Sequence, residues 1–415
     1  GKVVVHPKNP DVVYVAAMGH FRSLNQQRGV FRTLNGGRTW EKVLYLSERT
    51  GVIDLVMDPA DPKTLFASAW QMPNGAESGI YRTTDGGTTW KQLRAGLPVG
   101  PMGRSGLDIA ASNPRVMYAF IDNWAQWKPD KTGDQQRQIV GGEVYRSADR
   151  GETWQRANTE DLYPVFGIFG WKFCDVRVSP DNENEIYILG NRAFHSTDGG
   201  RTYQRVGETI RRVHNTEGSA LHLDHHELWI DPANPDRLLL GNDGGVHQSF
   251  DRGKTWLHLN NLPIGQFYFV SVDMQEPYTI FGGTQDNGAL YVSADYRPDD
   301  EPAANDAWRH VWLDRWTGGD AFVTLPDPTD PRFVYYEHQN GDMLRMNLAA
   351  GNPFSYGPAT ESIRPRAPRG ETPWRFGWYT PFLISRHEPR TLYAGGNVVV
   401  KSQNRGGQWQ RQPEM

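Results

Sequence analysis

The stretch TTDGGTTW, Thr83 to Trp90, decides the fold, because the chain writes it several times over. TLNGGRTW stands at 33–40, SADRGETW at 147–154, STDGGRTY at 196–203 and SFDRGKTW at 249–256, with a worn copy, SQNRGGQW, at 402–409. The octets begin 50, 64, 49, 53 and 153 residues apart. The last interval is close to three of the shorter ones, so two modules without a readable octet are expected between 256 and 402.

A second motif supports that count. Before each octet stands an apolar run, a Pro/Asn/Asp turn and a second apolar run, as in VVVHPKNPDVVYVAA, DLVMDPADPKTLFASA, DIAASNPRVMYAF, VRVSPDNENEIYILG and LWIDPANPDRLLLG. Three further copies, VSVDMQEPYTIFGG, VTLPDPTDPRFVYYE and LISRHEPRTLYAGG, bring the total to eight modules. Each reads as strand, turn, strand, a third strand such as GVFRT or GIYRT, the octet turn, and a fourth strand. Runs this short, rich in Val, Ile, Tyr and Phe, leave no amphipathic helix of ten or more residues. Four strands in about fifty residues describe one blade of a β-propeller. The expected architecture is therefore all-β, with eight blades at about 2–46, 51–97, 104–160, 170–208, 222–262, 267–314, 319–358 and 378–415 in one propeller domain.

Within the octet, the third residue (Asn35, Asp85, Asp149, Asp198, Asp251, Asn404) can accept bonds from backbone N–H groups of a tight turn. The glycine at the fifth position supplies positive φ. The closing aromatic (Trp40, Trp90, Trp154, Tyr203, Trp256, Trp409) starts the outer strand and can bury its ring between blades. Every residue is occupied in holding a hairpin, so the octet is expected to be scaffold. Several identical active sites around one ring would be the alternative.

The octet resembles the Asp box, or BNR repeat, of sialidases, two-propeller xyloglucanases and sortilin-type domains. The fuller set HPKNPDVVYVA, GVIDLVMDP, HLDHHELWIDP, GNDGGVHQSFDRGKTW and TQDNG resembles a large bacterial group labelled sortilin-like or glycosyl-hydrolase-like. The resemblance implies octets placed away from the ligand site and further blades upstream, in a ring of about ten. It also implies export to the periplasm, the cell surface or the medium. The start at GKVVVHP, with neither Met nor signal peptide, is expected to follow a processed or upstream segment.

Composition narrows the function classes. The 415 residues carry a net charge of −4 with both signs interspersed, and no basic block suggests nucleic acid. No run approaches the roughly 18 apolar residues of a membrane span. The lone cysteine, Cys174, excludes an internal disulfide and is expected to be a small buried apolar residue.

Function is expected where the modules differ, near the innermost strands and the loops that lead into them. HLDHHELWIDP gathers His222, Asp224, His225 and His226. On a strand, His222, Asp224 and His226 would share one face and His225 the other. That set suits a hydrogen-bonded structural network, a ligand contact, or a divalent metal. No cofactor is required. Asp243 in GNDGGVH and Asp286 in TQDNG occupy matching turns, and Asp320 in RWTGGDAF precedes another inner strand. Asp224 and Asp320 would give two carboxylates on a shared channel, the pair a glycosidase needs. Arg315, Trp316, Trp374, Arg375 and Trp378 stand before inner strands, where Trp can stack on sugar rings and Arg can hold a carboxylate. The apolar loop 163–171 can plug the channel or meet a partner. The polar insertion 122–142, with Trp124 and Trp127, lengthens the third module. No phosphate loop, nucleophile elbow or HExxH is present. The leading expectation is an exported scaffold that recognises a glycan, peptide or partner protein. The alternatives are a glycoside hydrolase of xyloglucanase-like type and an accessory subunit of a surface or membrane complex.

Overall fold

The computed structural model describes residues 1–127, 137–207, 221–259, 262, 264–296, 312–314 (backbone only), 319–350 and 360–413. Among them lie eight four-stranded antiparallel sheets, at 3–44, 50–93, 102–156, 175–205, 225–258, 267–314, 321–362 and 382–411. In every sheet the strands lie side by side in chain order. The only α-helix among the described residues is one turn, Tyr163–Phe166. The fold is all-β with the strand order of propeller blades, as the repeat predicts. The chain divides into two compact units, Gly1–Asn242 with Val246–His258, and Asp243–Gly245 with Leu259–Met415.

Within each unit the cores lie between consecutive sheets. Phe66 and Ile80 of the second sheet meet Leu107, Met117 and Ile121 of the third, and Phe120 and Val144 of the third meet Val176, Ile186 and Ile188 of the fourth. In the second unit, Phe281 and Ala289 of the sixth sheet pack on Val334 and Tyr336 of the seventh. Val323 and Tyr335 of the seventh then pack on Phe382, Leu392 and Val400 of the eighth. A four-stranded sheet has two apolar faces, and stacked neighbours are what remove them from water.

The octets fasten these stacks. At the second sheet, the Thr83 hydroxyl donates to Asp85 Oδ1 (2.8 Å) and accepts the Gly87 N–H (2.9 Å). Asp85 in turn accepts the N–H and hydroxyl of Thr89 (2.9 and 2.6 Å). Those bonds, the Thr89 hydroxyl foremost, hold the Asp85 carboxyl well below the usual carboxylate range. The Trp90 indole N–H closes the turn on the Gly87 carbonyl (3.2 Å). The same pattern recurs at Ser147/Asp149/Trp154 and Ser249/Asp251/Trp256.

Two features of the octet are not legible in its letters. The fourth position is also left-handed, even where it is arginine: Arg150, Arg252 and Arg405 have φ near 60°. Its N–H docks on the first turn of the same module, as from Gly36 to Asp11, Gly86 to Lys63, Arg150 to Arg115 and Arg405 to Arg390, each at 2.9 Å. Its carbonyl accepts from the preceding sheet, from Tyr14 at Gly86 (2.9 Å) and from Tyr187 at Arg252 (3.1 Å). The sixth module keeps a remnant that the spacing does not reveal, since the Ser293 hydroxyl donates to Asp295 Oδ1 at 2.5 Å.

The innermost strands of the first unit carry a second clasp. Asp54 accepts the Leu107 N–H of the next sheet (2.8 Å), and Asp108 accepts the Val178 N–H of the one after (2.8 Å). Arg177 lies between Asp175 (2.5 Å) and Glu227, and Lys2 reaches Glu227 at 3.5 Å. Burial pushes the Asp108 carboxyl up, while the surrounding carboxylates hold the proton on Arg177 despite its own burial. Loop 163–171 contributes to the core: Val165 and Phe166 are buried, and Phe166 packs on Phe120 at 5.2 Å.

The octet aromatics are not equally buried. Trp154 is 2 % exposed and Trp40 45 %. Trp154→Ala should therefore cost about 3–5 kcal/mol and Trp40→Ala less than about 1 kcal/mol, as read by chemical denaturation. Equal costs would refute the view that this ring packs between sheets.

Candidate carboxylate site

Asp320 immediately precedes the strand Ala321–Pro326, and its side chain is buried at 3 % exposure. Its Oδ1 accepts the Asp286 N–H (2.9 Å), and its Oδ2 accepts the Trp378 indole N–H (2.7 Å) and the Tyr268 hydroxyl (3.2 Å). A carboxylate with three donors is a fixed anchor. It sets the backbone of one acidic residue and the ring plane of one tryptophan at the same time.

Asp286 follows the strand Thr279–Thr284 in a turn, and its own φ of 59° is left-handed. The neighbouring Asn287 amide donates to the Asp243 carbonyl (2.9 Å) and the Gln285 carbonyl (3.0 Å), which ties the two acidic turns together. Carboxylate oxygens of Asp243 and Asp286 come within 4.8 Å of each other. Burial, then the charges of Asp320 and Asp243, push the Asp286 carboxyl up to about 6. Asp286 therefore holds its proton up to about pH 6, and Asp320 accepts from three donors.

Trp378 is 58 % exposed, so one edge is anchored while its surface faces solvent. Tyr379 stacks on Phe269 (5.2 Å) and meets Phe322 (5.7 Å), and Tyr268 meets Phe322 (4.7 Å). The segment carrying Trp378 is held from below. Glu337, fully buried, accepts the Thr380 N–H at 2.5 Å, and the Asn340 N–H bonds the Trp378 carbonyl at 3.2 Å. The second Glu337 oxygen has no hydrogen-bond partner among the described residues, and burial pushes this carboxyl up to about 8.

The other candidates are placed as follows. The strand begins at His225, with Asp224 before it at φ 67°, so 222–226 do not alternate across a strand. Asp224 accepts from the Asn191 amide at 2.7 Å, His222 Nδ1 lies 3.0 Å from the Leu223 carbonyl, and His226 packs on Phe173 at 5.4 Å. Among the described residues no set of three metal-ligating side chains includes His222 or His226, so the structure does not bring that trio together. The histidine that pairs closely is one the motif does not contain. His247 is buried and stacks on His258 at 4.4 Å, and burial, followed by His258, His225 and His222, lowers it to about 2.

Asp224 belongs to the first unit and Asp320 to the second, and the carboxylates whose charges act on Asp286 are Asp320 and Asp243. Trp374 is partly buried against the core between the seventh and eighth sheets. Arg315 and Trp316 lie outside the described residues. Glu337 and Tyr268 were not legible as site residues, since each reads as an ordinary strand position. Cys174 is buried, as expected.

Glu337 supplies a pH test. Its folded value lies above the ordinary 4.5, so its contribution to stability is complete below about 4.5 and is lost as pH rises through about 8. Glu337→Gln should leave the melting temperature at pH 5 nearly unchanged and raise it relative to wild type at pH 9. A parallel pH dependence in both proteins would contradict the assignment.

No family model matches the sequence. A probable oligoxyloglucan-reducing end-specific xyloglucanase of Neosartorya fischeri is 30% identical over 135 residues, which are 29% of this chain and 16% of that protein. The GH74 enzyme of Niastella koreensis aligns in structure with a TM-score of 0.52 at 15% identity, over 99% of this chain and 62% of that one. An ancestral GH74 enzyme gives 0.45 at 13% identity, over 98% and 62%. The chain thus spans about three fifths of these solved structures and a sixth of the curated relative. What the Niastella koreensis enzyme shares with this chain is the fold, and that fold is the β-propeller.

Proposed function

We propose that this chain is a carbohydrate-acting β-propeller of glycoside hydrolase type, with Asp286 as its acid. The observation that carries this reading is a half-buried carboxyl raised to about 6, beside a second carboxylate and an anchored, exposed tryptophan. Cleavage of a glycosidic bond needs one carboxyl that gives a proton to the leaving oxygen and one that acts as base or nucleophile. Asp286 suits the first role because it is protonated below about pH 6. Asp243 is the nearby carboxylate for the second. Asp320 is a positioning residue: it fixes the Asp286 backbone and holds the Trp378 ring where a sugar can stack. The local 30% match to a xyloglucanase supports the substrate class.

A purely binding scaffold remains the second reading, and the exposed Trp378 fits it equally well, because a stacking platform serves binding and turnover alike. Turnover separates the two. Wild type should hydrolyse β-glucan oligosaccharides, with kcat/KM declining as pH rises above about 6 because the acid loses its proton. Asp286→Asn should reduce kcat by about 100-fold or more while the dissociation constant for the glycan stays within a few-fold. Binding without turnover in wild type would leave the scaffold reading standing instead.

A further inference from the structure

The strand Thr360–Ser362, which ends the seventh sheet, is joined to Phe382–Ile384, which opens the eighth, by a segment rich in arginine. Residues 362–375 read SIRPRAPRGETPWR, four arginines against the single acid Glu371. Arg364 is engaged, donating to the Asn340 carbonyl at 3.0 Å. Among the described residues no carboxylate pairs with Arg366, Arg369 or Arg375, although Arg345 and Arg405 nearby each have an acidic partner in Glu361 and Asp327. At Arg375 the backbone does the structural work. Its N–H donates to Asn397 Oδ1 (2.7 Å), its carbonyl accepts the Asn397 N–H (2.9 Å), and the guanidinium is left over.

Arg375 stands at an open depression of about 590 Å³ lined also by Phe376, Tyr379, Pro381, Gly395 and Asn397. Phe376 is seated against Gly341 and Gly396, where a methyl group would already collide with its ring. At Gly395, by contrast, a Cβ would meet only Pro381, at 3.7 Å or more, so that wall is open. The depression therefore combines an aromatic side, a side-chain-free wall and one guanidinium with no internal acid. Trp378, whose indole is tied to Asp320, stands in sequence between the lining residues Gly377 and Tyr379.

The geometry points to recognition of a carboxylated sugar, a uronate residue of an acidic glycan, at this depression. A guanidinium presents two parallel donors that match a carboxylate, while a sugar ring stacks on the flanking aromatics. Arg366 and Arg369 stand on the same segment, shortly before Arg375 in the chain. This inference rests on the glycan reading above and adds to it a subsite for an acidic residue of the glycan.

The test is calorimetric titration of the full chain with tetragalacturonate and with its fully methyl-esterified form, in which each carboxylate is a neutral methyl ester. The free acid should bind at least about tenfold more tightly than the ester, and Arg375→Gln should abolish that difference with an unchanged melting temperature. Gly395→Val, which fills the depression, should weaken both ligands. Equal binding of acid and ester by wild type, no binding of either, or an acid preference that persists in Arg375→Gln would each overturn the inference. The two readings fail separately. Hydrolysis of a neutral glycan that is lost in Asp286→Asn, without any acid preference, would sink this inference and keep the hydrolase. An Arg375-dependent acid preference without turnover would do the reverse.

Discussion

The second unit depends on one buried carboxylate. Asp320 accepts from the Asp286 backbone, the Trp378 indole and the Tyr268 hydroxyl, three elements far apart in sequence. Burying a charge is expensive unless it is fully hydrogen-bonded, and here every donor comes from a different strand or loop. Burial first, and then this same charge together with that of Asp243, raises the proton affinity of Asp286 beside it. Structural anchoring and acid tuning are thus one arrangement, and the ring of Trp378 is oriented as part of it.

Such an arrangement needs a rigid frame, which the repeat supplies. The octet turns dock on the first turn of their own sheet, and those at Gly86 and Arg252 also accept from the sheet before, so these hairpins restrain two sheets at once. Apolar contacts between consecutive sheets do the bulk of the stabilisation, and the polar fasteners set their register. In the first unit, aspartates of the innermost strands repeat the same logic, each clasping a backbone N–H of the next sheet.

The sheets were legible in the sequence because they repeat. A period of about fifty residues, with the octet and the Pro/Asn/Asp turn as two independent markers, fixes eight four-stranded units with little room for another reading. The site was only partly legible. Asp286, Asp320 and Trp378 stand out as residues that the repeat does not explain. Their partnership does not, since it joins positions 34 and 58 residues apart. The same-face placement of His222, Asp224 and His226 fails for a local reason: the strand begins only at His225, and the left-handed backbone at Asp224 breaks the alternation. Glu337 was invisible because a Glu inside YYEH looks like a solvent-facing strand residue, and only the packing of Thr380 over it reveals a buried acid. The octet arginines show the same limit, as nothing in the letters marks Arg252 for a left-handed turn.

The central claim is that burial and the charges of Asp320 and Asp243 raise the proton affinity of Asp286 above that of an ordinary aspartate. The direct measurement is an NMR titration of the Asp286 carboxyl carbon in chain labelled with ¹³C-aspartate, in wild type and in Asp320→Asn. The account predicts a midpoint near 6 in wild type, moving down toward the ordinary aspartate value once the neighbouring charge is removed. A wild-type midpoint near 4, or one that Asp320→Asn leaves in place, would contradict it.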